Sequence, residues 1–289
     1  MPELPDLDIL ADMAHGALAG RPVTGSSVVQ SLVMRGTAAE LAALEGQVLT
    51  SVRRRGKFLV FQLDRDRLVM NLMLTGRLGL AMPGAKAYPQ TALVLYLGGR
   101  RRPPRDMAAW VRGAAWLPRD DAPTELRDRD ATRMGKVYLV PDGIIRPIAG
   151  WYELGPDADD PKLTLDVWRD RIRSHRGELK NLLKDQSFMA GIGNGYSDEI
   201  LWEARLAPLR KRSTLAADEV DALYQAVRSV PQWAIGELRR RVPPRFEVEV
   251  RDFLHVHRKG GQPCPRCGTT ISEISPGGFV TSWCRTCQR

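Results

Sequence analysis

Apolar residues recur along this chain in two rhythms. Between residues 48 and 97 they form short runs, Val48–Val52, Phe58–Leu63, Leu68–Leu74 and Ala92–Leu97, each of strand length. Past residue 160 the spacing lengthens, and Leu165–Ser174, Leu179–Asp185, Tyr196–Ala204 and much of Ala216–Arg241 read as helices. Between the two regimes, Gly155-Pro156-Asp157-Ala158-Asp159-Asp160-Pro161 is acidic and punctuated by proline, and reads as a linker. In the helical half, the segment Leu179 to Gln186 stops near Ser187, and Gly191-Ile192-Gly193-Asn194-Gly195 forms a tight glycine-rich turn. Asp198 and Glu199 then fall in the first turn of the next helix, where carboxylates complement the dipole. Backbone N–H groups in such a turn cradle phosphate, and Asn194 adds a side-chain donor. Plain core packing would produce the same spacing.

Charge narrows the partners. Forty-three Lys and Arg face 34 Asp and Glu in 289 residues, a formal charge of +9 that favours a polyanion such as nucleic acid or an acidic membrane surface. The stretch Leu10–Leu18 is broken by Asp12 and His15, and no apolar run matches a bilayer. Nor does a basic n-region with an apolar run open the chain, so a soluble cytoplasmic protein is expected.

Chemistry concentrates at the two ends. Behind Met1 stands Pro2, small enough for the initiator to be removed, which leaves a secondary amine able to attack a sugar aldehyde carbon. Glu3 beside it supplies a proton donor, and a nucleophile next to an acid or base is the arrangement of covalent catalysis. Taken alone, a frayed terminus explains these residues as well. At the far end, Cys264-x2-Cys267 and Cys284-x2-Cys287 are separated by sixteen residues, a spacing that closes a tetrahedral zinc site across a β-hairpin. Gly268, Gly277 and Gly278 supply its turns. Two disulfides are the alternative, disfavoured in a reducing compartment. With all four positions filled by protein the zinc is structural, and binding on the order of 10–16 kcal/mol would hold so small a module folded.

In order and spacing, MPELPD, LLKDQSFMAGIGNGYSDEIL and CPRCG…CRTCQR resemble the formamidopyrimidine-DNA glycosylase / endonuclease VIII family over nearly the whole chain. Arg54-Arg55-Gly56-Lys57-Phe58-Leu59 is similar to its strand-turn-strand element with an essential lysine, and His257-Arg258-Lys259-Gly260-Gly261-Gln262-Pro263-Cys264 to the run entering its finger. The resemblance implies an α+β, multidomain fold. Residues 1–150 form an N-terminal catalytic β-sandwich with a leading helix, about Asp6 to Ala19, and 151–163 a linker. A helix-two-turn-helix DNA-binding domain spans 164–245 and a zinc-finger hairpin 246–289, with DNA in the cleft between domains. It also implies a DNA glycosylase/AP lyase. Pro2 attacks C1′ of the damaged nucleotide, Glu3 acts on the sugar ring, and β- then δ-elimination follows. Lys57 and Asn194 hold phosphates. Arg258 and Lys259 join them as DNA-binding candidates, with Lys180, Arg210, Lys211, Arg212, Arg239, Arg240 and Arg241 as further phosphate contacts. The implied partner is damaged DNA, bound by a nucleoid-associated monomer carrying one structural Zn2+.

Departures from the family pattern bear on specificity. The HLGMSG-like stretch reads Asn71-Leu72-Met73-Leu74-Thr75-Gly76, so Leu74 replaces a wedge methionine. The DxRRFG-like stretch is expected at Asp106-Met107-Ala108-Ala109-Trp110, which puts Ala108 where a void-filling arginine stands and leaves Trp110 to stack on a base or fill the core. Phe279 occupies the position of the finger arginine, and Asp6 and Asp8 replace glutamates. Weaker extrusion from intact duplex favours single-stranded or destabilised substrates. An AP lyase with little glycosylase activity, or a non-catalytic binder of damaged or abasic DNA, are the alternatives. A zinc-dependent RNA-binding module lacks an aromatic stacking platform.

Overall fold

The computed structural model describes residues 1–86 and 88–289. These form two compact units, Met1–Ala149 with Leu238–Val250, and Gly150–Glu237 with Arg251–Arg289. The first opens with helix α1 (Leu4–Leu18), followed by β1 (Val23–Val28), β2 (Met34–Arg35), the short α2 (Ala38–Ala42), β3 (Leu49–Arg55), β4 (Phe58–Leu63), β5 (Arg67–Asn71), β6 (Arg77–Ala81), β7 (Thr91–Leu97), β8 (Thr124–Arg129) and β9 (Lys136–Val140). The strands make a four-stranded sheet, β1-β7-β8-β6, and a five-stranded sheet, β2-β9-β5-β4-β3, antiparallel but for the β2–β9 pair. Both sheets and α1 contribute to the core.

Helix α1 is buried on most of its circumference, including Leu4, Leu7, Ile9, Met13, Ala14 and Leu18, and packs on β3. His15, the polar residue that interrupts its apolar run, accepts from Val52 N–H at Nδ1 (3.2 Å) and reaches the Arg105 carbonyl through Nε2 (2.6 Å). Strands β7 and β8 are antiparallel neighbours, yet 26 residues, 98–123, join them. A hairpin of this kind ordinarily needs two to five. Arg21 anchors the connection. It is fully buried, and its guanidinium donates to the carbonyls of Ala17 (2.8 Å), Gly98 (3.1 Å), Arg119 (2.8 Å) and Ala122 (2.6 Å).

Strand β8 reads as polar, Thr-Glu-Leu-Arg-Asp-Arg, and yet Thr124 through Asp128 are buried. Arg127 is satisfied by Glu125 (2.6 Å) and by the Lys86 carbonyl (2.9 Å). Asp128 differs: its Oδ1 has no hydrogen-bond partner among the described residues, and burial, reinforced by the charge of Asp130, pushes its pKa from 3.8 up to about 7. The native state therefore binds a proton that the unfolded chain has released between those values. Stability should fall as pH rises from about 4 to about 7, by at most about 4 kcal/mol, and level off above. Urea midpoints at pH 5 and pH 8 measure the drop, and Asp128→Asn should flatten it. An equal drop in the variant would place the titration elsewhere.

The second unit holds α3 (Leu165–Ser174), α4 (Leu179–Lys184), α5 (Asn194–Glu203) and most of α6 (Ala217–Arg241), then a hairpin of β10 (Ser272–Ile274) and β11 (Thr281–Trp283). Thr164 caps α3 by accepting from Val167 N–H, and Trp168 fills the centre against Phe188, ring centroids 5.3 Å apart. Three sequence-based boundaries shift. Helix α1 starts at Leu4 rather than Asp6, since Pro5 suits a first turn, and α5 starts at Asn194 rather than Tyr196. Residues 238–250, expected to divide between the helical domain and the finger at 245/246, pack with the first unit instead, where Phe246 meets Trp116 edge-on at 6.0 Å. Among the described residues no helix is long and apolar enough to cross a membrane.

Candidate functional site

The N-terminus is built into the first unit. Pro2 is buried and Glu3 is 4 % exposed, at the N-cap of α1. Asp6, one of the two shortened acids, accepts from the Glu3 backbone N–H at 2.8 Å; Asp8, the other, pairs with Arg54 at 2.8 Å. The N-terminal end of α1 thus lies at Glu3. Pro2 and Asp6 line a small recess with Leu10, Arg77, Val242, Phe246 and Glu249; the chain's terminal nitrogen, on Met1, is 3.8 Å from Glu249. Lys57 occupies the tip of the β3–β4 hairpin, where Arg55 faces Phe58 and Gly56 adopts the positive φ (55°) that so short a loop requires. Strand β3 lies against α1, so one sandwich carries the terminus and the lysine.

Trp110 is half-buried. Its indole N–H donates to Asp12 at 2.7 Å, and the Arg239 guanidinium lies 5.6 Å from the ring centre. The stretch expected at Asp106 to Trp110 corresponds better to another segment. Asp130-Ala131-Thr132-Arg133-Met134-Gly135 has an aspartate, an arginine three residues on and a glycine five on, the D-x-x-R-x-G spacing. Asp130 accepts from Thr75, whose hydroxyl also meets Thr132 at 2.7 Å. Burial raises the Asp130 pKa, but hydrogen bonds from Thr75, Gly135 and Thr132 outweigh it and hold the group low. Leu74 and Met134 therefore stand on neighbouring loops, 47 % and 41 % exposed. Ala108 and Trp110 lie within the 26-residue connection between β7 and β8, whereas Asp130 to Gly135 follow β8.

In the second unit the glycine turn is braced by Gln186, which accepts from Gly191 N–H (3.0 Å) and donates to the Ile192 carbonyl (2.7 Å). Asn194 opens α5 and donates to the Val280 carbonyl at 2.8 Å; its Oδ1 is buried with no partner among the described residues. Asp198 and Glu199 do not serve the dipole, since both lie past the first turn and are buried. Asp198 pairs with Lys180 (2.6 Å) and His257 (2.7 Å), and burial pushes its pKa up against both. Glu199 collects the backbone N–H groups of His255, Val256 and His257, each within 2.9 Å. Lys180 is consequently a buried structural residue, not a phosphate contact, and Arg210 is bound to Glu219 at 2.6 and 2.7 Å. Lys211, Arg239, Arg240, Arg241 and Arg258 are exposed; Arg212 is half-buried; Lys259 donates to the Asp252 carbonyl at 3.1 Å. Phe279 projects at the hairpin tip, 58 % exposed, with the Lys184 ammonium 5.3 Å from its ring.

The sulfurs of Cys264, Cys267, Cys284 and Cys287 all lie within 4.8 Å of one another. Tetrahedral zinc with Zn–S bonds of about 2.3 Å sets sulfurs about 3.8 Å apart, so the four thiols fit that ion with little adjustment. Gly268 (φ 75°) closes the first knuckle, its N–H donating to the Cys264 carbonyl at 2.8 Å.

Sequence comparison matches residues 1–110 to the formamidopyrimidine-DNA glycosylase N-terminal domain, 154–241 to the formamidopyrimidine-DNA glycosylase H2TH domain, and 261–289 to the zinc finger found in FPG and IleRS. The formamidopyrimidine-DNA glycosylases of Thermomicrobium roseum and Exiguobacterium sibiricum are 32 % and 31 % identical, over 100 % of this chain and 99 % of theirs. In fold, the chain resembles Lactococcus lactis Fpg in complex with DNA containing an abasic site, with a TM-score of 0.83 and 23 % identity over 99 % of both chains.

Proposed function

Because the chain belongs to the formamidopyrimidine-DNA glycosylase family, we propose that it is a bifunctional DNA glycosylase and AP lyase in which Pro2, freed by removal of Met1, is the nucleophile. The observation that carries the residue assignment is the buried Pro2–Glu3 pair at the N-terminus of α1. The proline nitrogen forms a bond to C1′ as the oxidised base departs with the electrons of the glycosidic bond and takes up the proton that the amine loses. Glu3 delivers a proton to the ring oxygen as the sugar opens to the iminium. The iminium acidifies the neighbouring carbon, and successive β- and δ-elimination release the phosphates on either side.

Lys57 and Asn194 hold phosphates near the lesion, with Arg258 and Lys259 as outer contacts. Leu74, joined by Met134, enters the stack that the flipped nucleotide vacates. Thr132 stands where the D-x-R-R-F-G spacing has its first arginine, so extrusion from intact duplex is weakened and unpaired or destabilised DNA is the better substrate. The chain works as a monomer in the cytoplasm, on the nucleoid. Zinc holds the finger and takes no part in bond breaking.

Borohydride reduction on DNA with an abasic site tests this reading. A covalent adduct should form, with a protein mass lacking Met1, and blocking the terminal amine should abolish it. A protein shown by mass to have lost Met1 that yields no adduct would be a binder of damaged DNA and not a lyase.

A further inference from the structure

Trp202 lies near the end of α5, 7 % exposed, with its side chain in the small apolar cluster of the finger beside Val256, Cys264, Ile271 and Cys284. Its indole Nε1 is 3.5 Å from the sulfur of Cys264, which is itself 2 % exposed. An indole N–H can only donate, and a donor removed from water needs an acceptor. Here that acceptor is a cysteine of the four-thiol cluster.

The ring is held so that the contact persists. On one face the Arg266 guanidinium sits 3.9 Å from the ring centre while donating to the Trp202 carbonyl (2.8 Å) and to Glu203 (3.0 Å). On the other face His255 is stacked at 4.4 Å and 17°, and is fixed in turn by Glu199 at 3.1 Å. Arg266 lies between two of the cysteines in sequence, so the knuckle that presents Cys264 also clamps the indole.

We infer that Trp202 is an outer partner of the metal centre, donating its indole N–H to the Cys264 thiolate and so orienting that sulfur and spreading its charge. The inference rests on the four cysteines holding zinc. It gives α5 a direct tie to the metal: the helix that begins with Asn194 on the finger's Val280 carbonyl ends with Trp202 on a ligand sulfur. Partners of this kind typically contribute about 10- to 100-fold to metal affinity.

Trp202→Phe keeps an aromatic ring in the stack, deletes the donor and shortens the ring, a loss of area that Trp233→Phe reproduces without a sulfur contact. In the full chain loaded with cobalt(II), the sulfur-to-cobalt charge-transfer band should move to lower energy, because the sulfur lone pairs lose the stabilising N–H. Competition against a chelator should show metal held about 10-fold or more weakly. Trp233→Phe, which removes an indole from the other side of His255 (4.5 Å) without touching sulfur, should leave both readings at the parent's values. A Trp202→Phe protein with native circular dichroism and unchanged band and competition overturns the inference. Should that variant fail to fold, the parent loaded with cadmium-113 decides: one indole proton should show scalar coupling to the metal through the sulfur, and absence of coupling overturns it. A parent that takes up no cobalt overturns the zinc site as well.

Discussion

Glu3→Gln should slow base excision about 10²- to 10⁴-fold while affinity for abasic-site DNA changes little. The side chain is 4 % exposed at the N-cap of α1, and its backbone N–H is already held by Asp6, so the amide fits the same space and the helix start survives. What it lacks is a transferable proton. Single-turnover excision separates this loss from binding, and an undiminished rate would remove Glu3 from the chemistry. Because iminium formation on an existing abasic site needs less acid assistance than base loss, the lyase step should suffer less than the glycosylase step.

Cys264→Ser should release zinc and unfold the C-terminal hairpin, forfeiting binding-coupled folding on the order of 10 kcal/mol, while the N-terminal sandwich stays folded. The module has a small core: its buried cluster is Trp202, Val256, Ile271, Cys264 and Cys284, with Cys287 packed against it. Loss should spread into α5, since the Val280 carbonyl that receives Asn194 and the Ser282 N–H that reaches Asp198 both belong to the hairpin side. DNA binding should weaken accordingly. Metal content and amide exchange on β10 and β11 report the outcome, and a variant retaining one zinc per chain with full affinity would refute the ligand assignment.

Some of this was legible in the sequence because local chemistry left one solution. Four cysteines at paired spacing converge in space, and the glycine turn ahead of Asn194 is a turn in the fold, with Gly191 at φ 98°. Spacing also located α3 and α4 to within a residue at their ends. It did not reveal which side of α5 faces inward, so Asp198 and Glu199 read as first-turn acids complementing the dipole when they are the buried partners of Lys180, His257 and three backbone amides. Strand β8 escaped notice for a related reason. Its charges are neutralised by pairing that no periodicity records, such as Arg127 with Glu125. The connection after β7 is the hardest part to read, since an aspartate and a tryptophan inside it, Asp106 and Trp110, compete for one motif with Asp130 to Gly135 past its end.

That connection also bears on how the protein reaches its fold. In a tight hairpin the turn sets the register and the strands zip from it within microseconds. Closing 26 residues rather than two costs about 2 kcal/mol more in loop entropy, and no tight turn between β7 and β8 sets their register. The alignment of the two central strands of that sheet is delegated to Arg21, whose guanidinium gathers Gly98 at one end of the connection and Arg119 and Ala122 at the other, with Ala17 of α1 as anchor. The β7–β8 pair is therefore expected to assemble late, once α1 has docked, and a nucleus for the sandwich belongs instead to the β3–β4–β5 meander with its short turns.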